Sequence, residues 1–311
     1  MKKTVSIVIP SFNEESNIEM IAKTIHSVMN PLPYYYRIVF VDDGSSDNSL
    51  NCLEQLAKED EKLFFISLSR NFGHQNALKA GVDTVKDISD AVITMDGDLQ
   101  HPPELLPQLL EKWEEGHDVV YTIREDDVTL SYFKKKTSKA FYSLMNKLSD
   151  VKFEPGTADF RLMDKKVVAV FSDFSENELF IRGIINWIGF DQYALHYKSN
   201  PRFSGKSKYT LSKMIRFALQ GITAFSTRPL HMAIFLGVGL SLFAFVFYLG
   251  YVIYSLYFGH VISGWASVIS TIVFFGGLNL TILGIIGIYI GKLFIQSKKR
   301  PNYLIKKTNF N

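Results

Sequence analysis

Residues 37–49 read RIVFVDDGSSDNS, an apolar run followed by a polar turn, and this order decides the fold class. Arg37–Val41 is rich in Val, Ile and Phe, which favour a buried strand. The Asp, Gly and Ser residues that follow favour a tight turn and the start of a helix. The same order recurs along the chain. The predicted strands are Val5–Ile9, Arg37–Val41, Leu63–Ser67, Ala91–Met95 and Asp118–Tyr121, and the helices between them are Ser16–Met29, Ser46–Glu59, Asn76–Val85 and Pro103–Glu115.

This alternation predicts an α/β fold with a mostly parallel, Rossmann-like sheet covered by helices on both faces. Ligands of such sheets bind beyond the carboxyl ends of the strands, so the loops after the strands should carry the chemistry. Those loops are PSFNEE, DDGSSD, SRNFGH and DGDLQHP, which begin at residues 10, 42, 69 and 96. None contains the glycine pattern of a dinucleotide-binding site or a P-loop, which argues against both classes.

The loop after the fourth strand carries a candidate metal site. Asp96 and Asp98 are separated by one glycine, so both carboxylates can reach one ion, and Gln100 adds a neutral oxygen. One or two carboxylates, completed by substrate phosphates, are the expected protein ligands of Mg²⁺ or Mn²⁺. An ordinary surface loop is the alternative, because Asp-x-Asp pairs also occur there.

The loop after the second strand contains three carboxylates with two kinds of expected role. Asp42 is the predicted ligand-binding residue, since a carboxylate at a strand end can hydrogen-bond a base or a ribose. Asp43 or Asp47 can serve only the turn and the start of the next helix, because aspartate is a good capping residue.

Charge divides the chain into two parts. The 311 residues carry 34 Lys and Arg against 31 Asp and Glu, yet the last acidic residue is Asp191, and residues 192–311 hold 13 Lys and Arg. Hydrophobic residues make up 47% of the chain, which excludes a disordered or fibrous protein. The single cysteine, Cys52, excludes an intramolecular disulfide scaffold and a cysteine-cluster zinc site. No nucleic-acid partner is expected.

Between Arg228 and Lys292 the chain has 63 residues without a single charged side chain. A membrane span needs roughly 20 apolar residues, so we predict two spans, at about 229–258 and 265–291. Basic residues flank the pair, at Arg228 and at 298–300, whereas the connecting loop has no Lys or Arg. The positive-inside rule therefore predicts a multi-pass protein of the cell (inner) membrane with the N-terminal region and both termini in the cytoplasm. The alternative is a helical hairpin buried in a soluble core.

Four segments follow from these patterns: a cytoplasmic catalytic domain, an amphipathic segment at the membrane interface, two transmembrane helices and a basic cytoplasmic tail. Their ranges are 1–200, 201–228, 229–295 and 296–311. Within the second segment, Ser207–Ser226 has an apolar stripe at helical spacing and a basic polar face, which suits an anionic membrane surface. The alternative for this helix is packing on the catalytic domain.

Four motifs in order, VIPSFNEESNI, VDDGSSDNS, SRNFGHQNAL and MDGDLQHPPE, resemble those of family 2 glycosyltransferases with the GT-A fold. GTADFRLMDKKVV, ENELFIRGIINWIGF and RFSGKSKYTLSKM, followed by two spans, narrow the resemblance to the polyisoprenyl-phosphate glycosyltransferases, similar to dolichol-phosphate mannose synthase and bacterial undecaprenyl-phosphate glucosyltransferases. This resemblance implies an inverting hexosyltransferase that moves a sugar from a nucleotide diphosphate to undecaprenyl phosphate on the cytoplasmic leaflet, for cell-surface glycosylation. UDP-glucose is the first expected donor, and UDP-N-acetylglucosamine and GDP-mannose stay open.

The resemblance also implies roles for individual residues. The residues implied in catalysis are Asp159, Arg161 and Arg182, and those implied at the metal are Asp96, Asp98 and Gln100. The residues implied at the nucleotide sugar are Pro10, Phe12, Glu14, Asp42, Asp96 and Arg124. Those implied at the lipid phosphate and pyrophosphate are Arg202 and Lys208. The family often has Tyr where this chain has Phe12, so stacking is expected there without a hydroxyl contact. Two alternatives are structural: Arg161 as a partner of Asp159, and Arg182 paired with Glu178 one turn earlier.

Asp159 has two possible roles, general base or positioning group. A phosphate monoester has a second pKa near 6, so the acceptor is mostly a dianion at cytoplasmic pH and carries no proton that must be removed. We therefore favour positioning.

The rival functions are a processive polysaccharide synthase, which would normally carry a Gln-x-x-Arg-Trp motif that this chain lacks, and a membrane-anchored nucleotide-sugar sensor. Glycines in the predicted spans allow close helix contacts, so a homo-oligomer is expected.

Overall fold

The computed structural model of the chain describes residues 2–98, 100–125, 146, 154–177, 179–198, 226–258 and 264–310. The strands are β1 (Thr4–Ser11), β2 (Tyr35–Asp42), β3 (Leu63–Leu68), β4 (Ala91–Thr94), β5 (Val119–Arg124), β6 (Thr157–Asp164), β7 (Gln192–Tyr197) and β8 (Ile305–Thr308). The helices are α1 (Glu15–Met29), α2 (Ser49–Glu59), α3 (His74–Val85), α4 (Leu106–Glu114, after a 3₁₀ turn at Pro103–Leu105), α5 (Lys165–Ser172), α6 (Ile181–Ile188), α7 (Arg228–Phe258) and α8 (Trp265–Ser297). All five predicted strands and all four predicted helices of the first part are present.

The described strands form one sheet in the order β7-β5-β6-β4-β1-β2-β3-β8. The four strands β4, β1, β2 and β3 run parallel, so their carboxyl ends meet at one edge. Along β1, Ile7 and Ile9 belong to an apolar layer with α1, α2 and α4, whereas Val8 belongs to a layer with α3, α5 and α6. Each such buried side chain contributes about 1.5–3 kcal/mol. Both faces of the sheet are therefore covered, and the predicted mostly parallel α/β fold is confirmed.

β6 runs antiparallel to β4 and β5, and sequence analysis did not predict it. Its register pairs Ala91 with Asp164 and Thr94 with Arg161, so β6 starts at the edge where β4 ends. The hydroxyl of Thr94 donates to the carbonyl of Asp159 at 2.6 Å and holds this register. As a result, the start of β6 brings Asp159 beside the loop that follows β4.

The C-terminal tail, which the sequence indicated only as a basic segment, adds strand β8 to the sheet. β8 pairs antiparallel with β3. The side chain of Asn309 accepts from the Phe65 amide at 2.7 Å and donates to the Leu63 carbonyl at 3.2 Å. The ring of Phe310 stacks on Phe64 with centroids 4.6 Å apart. The residues after α8 are thus attached to the same sheet as the N-terminal region.

α7 and α8 are long and apolar enough to cross a membrane. The stretches Arg228–Ser255 and Thr271–Ser297 have mean hydropathies of 2.3 and 2.1, and none of their most apolar parts is buried within the chain. A helical hairpin buried in a soluble core therefore does not fit. The predicted interface segment, 201–228, lies outside the described residues except for its last three.

The end of α8 is tied to the loop between α5 and α6. The amide of Asn177 donates to Gln296 Oε1 at 2.9 Å, and its side chain donates to the Ile295 carbonyl at 3.1 Å. Gln296 in turn donates to the Ser175 carbonyl at 3.1 Å. The sheet domain therefore lies at the end of α8 that also leads into β8.

This arrangement predicts that the sheet domain and the tail lie on the same side of the membrane, because β8 cannot pair with β3 across a bilayer. In a Cys52→Ser background, we expect Glu61→Cys and Lys306→Cys, both at exposed positions, to react with an impermeant maleimide from one side. Trp265→Cys, at the exposed start of α8, should react from the other side. Permeabilised cells provide the control in which all three react. Labelling of positions 61 and 306 from different sides would contradict the pairing.

Candidate active site

The loops after β1 and β2 form one rigid unit at the carboxyl edge of the sheet. Asn13 adopts a φ of 57°, and its side-chain oxygen accepts from the Ser46 amide at 2.8 Å. The Glu14 amide donates to the Ser49 hydroxyl at 3.1 Å. Gly44 has a φ of +69°, and a Cβ there would lie 2.5 Å from the Arg70 carbonyl carbon, so only glycine fits. The predicted site residues on these loops are therefore held in place by backbone contacts.

The three carboxylates after β2 all have internal partners. Asp43 accepts from the Phe72 and Gly73 amides at 2.7 and 2.9 Å, and Asp47 accepts from the Ser49 amide at 3.0 Å. Burial raises the pKa of Asp43 despite these bonds. Asp47 thus serves the turn before α2, whereas Asp43 holds the loop after β3 rather than its own turn. Asp42 accepts from the Ser45 amide at 3.1 Å and the Ser67 hydroxyl at 3.0 Å, so its proposed ligand contact would have to share oxygens that are already bonded.

The loop that carries Asp96 is shaped by two contacts that sequence analysis did not find. The Asp96 amide donates to His101 Nδ1 at 3.0 Å, and the buried His101 ring stacks on Phe160 with centroids 5.3 Å apart. A Cβ at Gly97 would lie 3.2 Å from the Pro10 carbonyl oxygen, so the loop packs closely against the end of β1. His101, which the sequence motifs did not single out, thus positions the Asp96 backbone.

The two aspartates fit a divalent cation that substrate would complete. Asp96 Oδ1 is shielded from solvent and receives no hydrogen bond from the described residues, while Asp98 Oδ1 accepts from the Gln100 amide at 3.1 Å. Across the described ranges, no group of three His, Cys, Asp or Glu forms a complete metal cage. This donor set suits Mg²⁺ or Mn²⁺, which commonly bind one or two carboxylates together with phosphates.

Asp159 is buried and bound by two arginines. Arg182 donates to both of its oxygens at 2.9 Å, and Arg161 Nη2 lies 3.4 Å from Oδ1. Burial alone would raise the pKa of Asp159, but Arg182, His74 and Arg161 together lower it well below its ordinary value. Burial lowers the pKa of Arg161 to about 10, so it stays protonated at neutral pH. Asp159 is therefore an ionised anchor that pairs with Arg182. Glu178, the alternative partner of Arg182, lies outside the described residues.

Two side chains at the start of α3 connect the aspartates, and neither was assigned a role from sequence. His74 Nε2 lies 3.3 Å from Asp96 Oδ1 and 3.7 Å from Asp159 Oδ2. Burial would lower the pKa of His74, but Asp159 and Asp96 raise it to about 9. Gln75 donates to Asp159 Oδ2 at 3.3 Å and accepts from the Ile181 amide at 3.0 Å. The sequence did offer one indication of a role for both residues, because they follow β3 in a loop that was expected at the site.

The remaining predicted residues lie around this centre. Phe12 is 44% exposed at the carboxyl edge, and Glu14 accepts from the Asn17 side chain. Arg124 ends β5, where it pairs with Tyr197 of β7. The structure thus brings together Asp96, His74, Asp159 and Arg182, and places Pro10, Phe12, Glu14, Asp42 and Arg124 along the same edge. Arg202 and Lys208 lie outside the described residues.

The site combines a pair of carboxylates able to hold a cation with a guanidinium held by a buried carboxylate. Such a combination can neutralise phosphate oxygens on two sides of a reacting centre. The carboxylate oxygens can bind a metal, and the N–H groups of the guanidinium can bind phosphate directly.

Comparisons with known proteins agree with this chemistry. The chain matches the family described as "Glycosyl transferase family 2" over residues 6–171. It is 39% identical to an uncharacterized glycosyltransferase, YkcC, of Bacillus subtilis over 97% of this chain and 93% of that protein. It is 40% identical to a bactoprenol glucosyl transferase of Shigella phage SfV over 97% of this chain and 98% of that protein. A mannosyl-3-phosphoglycerate synthase from Rubrobacter xylanophilus shares the fold, with a TM-score of 0.50 and 18% identity over 71% of this chain and 72% of that one. The chain therefore belongs to glycosyl transferase family 2 and is a glycosyltransferase.

Proposed function

We propose that this glycosyltransferase moves a hexose, with inversion, from a nucleotide diphosphate sugar to a polyprenyl phosphate at the cytoplasmic face of a membrane. UDP-glucose is the proposed donor and undecaprenyl phosphate the proposed acceptor. The observation that carries this proposal is the attachment of the loop before Arg182 to the end of α8, because it supports a site that works close to a membrane surface. The name of the phage relative, a bactoprenol glucosyl transferase, supports the same substrate pair.

The donor would bind along the carboxyl edge of β1, β2 and β4. The exposed ring of Phe12 can stack on a base, and Pro10, Glu14, Asp42 and Arg124 line the same edge. Asp96, Asp98 and Gln100 would hold Mg²⁺ or Mn²⁺, which supplies positive charge to the diphosphate. Arg202 and Lys208 are proposed to bind the lipid phosphate and pyrophosphate.

The reaction forms a bond between an acceptor phosphate oxygen and the anomeric carbon while the bond from that carbon to the diphosphate breaks. The nucleoside diphosphate leaves with the electron pair, and the configuration inverts. The residues of this chain supply position and charge: Arg182 can offset the negative charge that gathers as two phosphates approach. Asp159 holds Arg182 through two hydrogen bonds. Its oxygens are occupied by donors and its pKa is well below neutrality, which favours positioning over proton transfer.

The same proposal covers organisation and location. Residues 1–200 are the catalytic domain, 201–228 the interface segment, 229–295 the membrane helices and 296–311 the tail. The basic flanks of the spans favour a cytoplasmic domain in the cell membrane. A homo-oligomer is proposed from glycines on both spans, which permit close helix contacts.

The direct test is transfer by the purified full-length protein in detergent. We expect UDP-glucose and undecaprenyl phosphate to give a lipid-linked glucose of inverted configuration, measured by chromatography and NMR. Undecaprenol, which lacks the phosphate, is the matched control and should accept nothing. Turnover only with UDP-N-acetylglucosamine or GDP-mannose would change the donor. A long polymer, or sugar binding without turnover, would refute the proposed function.

The metal assignment predicts that EDTA abolishes transfer and that Mg²⁺ or Mn²⁺ restores it. Asp98→Asn should lower kcat/KM by about 10³-fold, because the diphosphate loses its counter-charge. Titration of Mn²⁺ followed by electron paramagnetic resonance should show weaker binding in the same variant. Glu104→Gln, a nearby exposed carboxylate, is the control and should leave both measurements unchanged. Full turnover in chelator would overturn the assignment.

The positioning role predicts an intermediate loss in Asp159→Asn. We expect kcat to fall about 10²-fold, because a neutral amide holds Arg182 less firmly, while the rate still follows acceptor ionisation with an apparent pKa near 6. Donor affinity, measured by calorimetry, should stay unchanged. Asp90→Asn, which alters a carboxylate bonded to the Thr4 amide at the opposite end of β1, controls for loss of stability. A near-complete loss at every pH would instead establish Asp159 as the base.

A further inference from the structure

A second cavity lies where α8 ends, and no residue placed in the active site lines it. This α8 cavity has a volume of about 880 Å³, opens to solvent, and is lined by α3, the end of α5, the end of α8 and residues 299–303. Small-molecule sites usually measure about 300–1,000 Å³. α3 connects the active site to this cavity. Its first residue is His74, and Lys79 and Asp83, one to two turns later, line the cavity.

The cavity carries uncompensated positive charge. The ammonium group of Lys79 donates to Asp83 at 2.7 Å and to the Ser172 carbonyl at 2.9 Å, so these two opposite charges cancel. Lys299 and Arg300 also line the cavity and are exposed. Neither forms an ion pair with a carboxylate among the residues that the structure describes. The wall formed by the tail can therefore attract an anion.

Two polar atoms in the wall are shielded from solvent and lack a partner within the described part of the chain. They are Ser172 Oγ and Asn302 Oδ1. Leaving such a group unsatisfied typically costs about 1–3 kcal/mol, so a ligand that bonds to it gains affinity. The Ser172 hydroxyl can donate to a phosphate oxygen, and Asn302 Oδ1 can accept from a ligand hydroxyl. The wall thus suits a ligand with both an anionic oxygen and a hydroxyl group.

Apolar side chains line the cavity beside α8. Leu293 of α8 lines it and is 69% exposed, and Phe174 lies across from the same helix end. Trp187, 64% exposed, packs edge-on against Phe174 with centroids 5.8 Å apart. Exposed tryptophan is enriched at the membrane–water boundary. A ligand with an acyl chain can therefore continue from the cavity along α8.

We propose that the α8 cavity binds the headgroup of an anionic phospholipid. Lys299, Arg300 and Ser172 contact its phosphodiester, Asn302 accepts from a headgroup hydroxyl, and the acyl chain runs past Leu293. A polyol headgroup such as glycerol satisfies both polar atoms, so phosphatidylglycerol is the probe of choice. Soluble phosphates share the anionic chemistry, but they cannot use the apolar side. No residue assigned to the nucleotide sugar, the metal or catalysis lines this cavity, and the proposal does not depend on the proposed transfer reaction.

The test is native mass spectrometry of the full-length protein, titrated in detergent with dioleoyl phosphatidylglycerol, dioleoyl phosphatidylcholine or glycerol-1-phosphate. We expect retention of phosphatidylglycerol in preference to the other two. The double substitution Lys299→Gln/Arg300→Gln should weaken its binding about 25-fold, near fivefold for each cation at the membrane surface. Ser172→Ala should weaken it several-fold without a change in charge. Lys298→Gln is the matched control, because Lys298 lies over the Phe294 ring and not in the cavity wall.

Thermal unfolding gives an independent readout. Phosphatidylglycerol should raise the Tm of the native protein and of Lys298→Gln, and raise it less for the double variant, because a ligand of the folded state stabilises it. A roughly fivefold loss of binding in Lys298→Gln, the loss expected for any cation at the membrane surface, would show unspecific attraction and overturn the site. Equal binding of phosphatidylcholine, or displacement of lipid by equimolar glycerol-1-phosphate, would also overturn it. The Tm of each variant without lipid establishes that it is folded.

Discussion

The active site depends on one ion pair, in which the partly exposed guanidinium of Arg182 holds the buried carboxylate of Asp159. A buried carboxylate costs several kcal/mol to remove from water unless cations and hydrogen-bond donors surround it. Asp159 is therefore stable only where Arg182, Arg161 and Gln75 all reach it. This requirement ties together three elements, because Asp159 and Arg161 lie on β6, Gln75 on α3 and Arg182 on α6.

The same constraint explains the other polar contacts of the site. α6 must start where Arg182 can reach Asp159, and Gln75 fixes that start by accepting from the Ile181 amide. His74, one residue earlier, then lies between Asp159 and Asp96. His74 and Gln75, two adjacent residues of α3, thus couple the position of Asp96, a candidate metal ligand, to that of Arg182, the candidate phosphate-binding residue.

A short path of contacts also joins this site to the membrane helices. The loop before α6 holds the end of α8 through Asn177 and Gln296, and the chain beyond α8 returns to the sheet as β8. The distance between the site and the end of α8 is therefore set by hydrogen bonds within the chain. Under the proposed function, such a fixed distance would hold a soluble and a lipid substrate together, because misplaced reactants lose much of their rate.

Patterns within short stretches determined much of this protein. The strands β1 to β5, the helices between them and both membrane helices follow from local periodicity and from the uncharged stretch after Arg228, since these depend on neighbouring residues alone. Asp96, Asp159 and Arg182 were identified through motifs in the sequence. Only the tertiary structure decided that Arg182 holds Asp159, that His74, Gln75 and His101 shape the site, and that the tail forms β8. Ile305–Thr308 is exposed throughout and has no strand-like alternation, so its pairing with β3 depends on Asn309 and Phe310 meeting residues far away in the chain. Such contacts between distant segments leave no periodic trace in the sequence, because register and burial arise only when the sheet assembles.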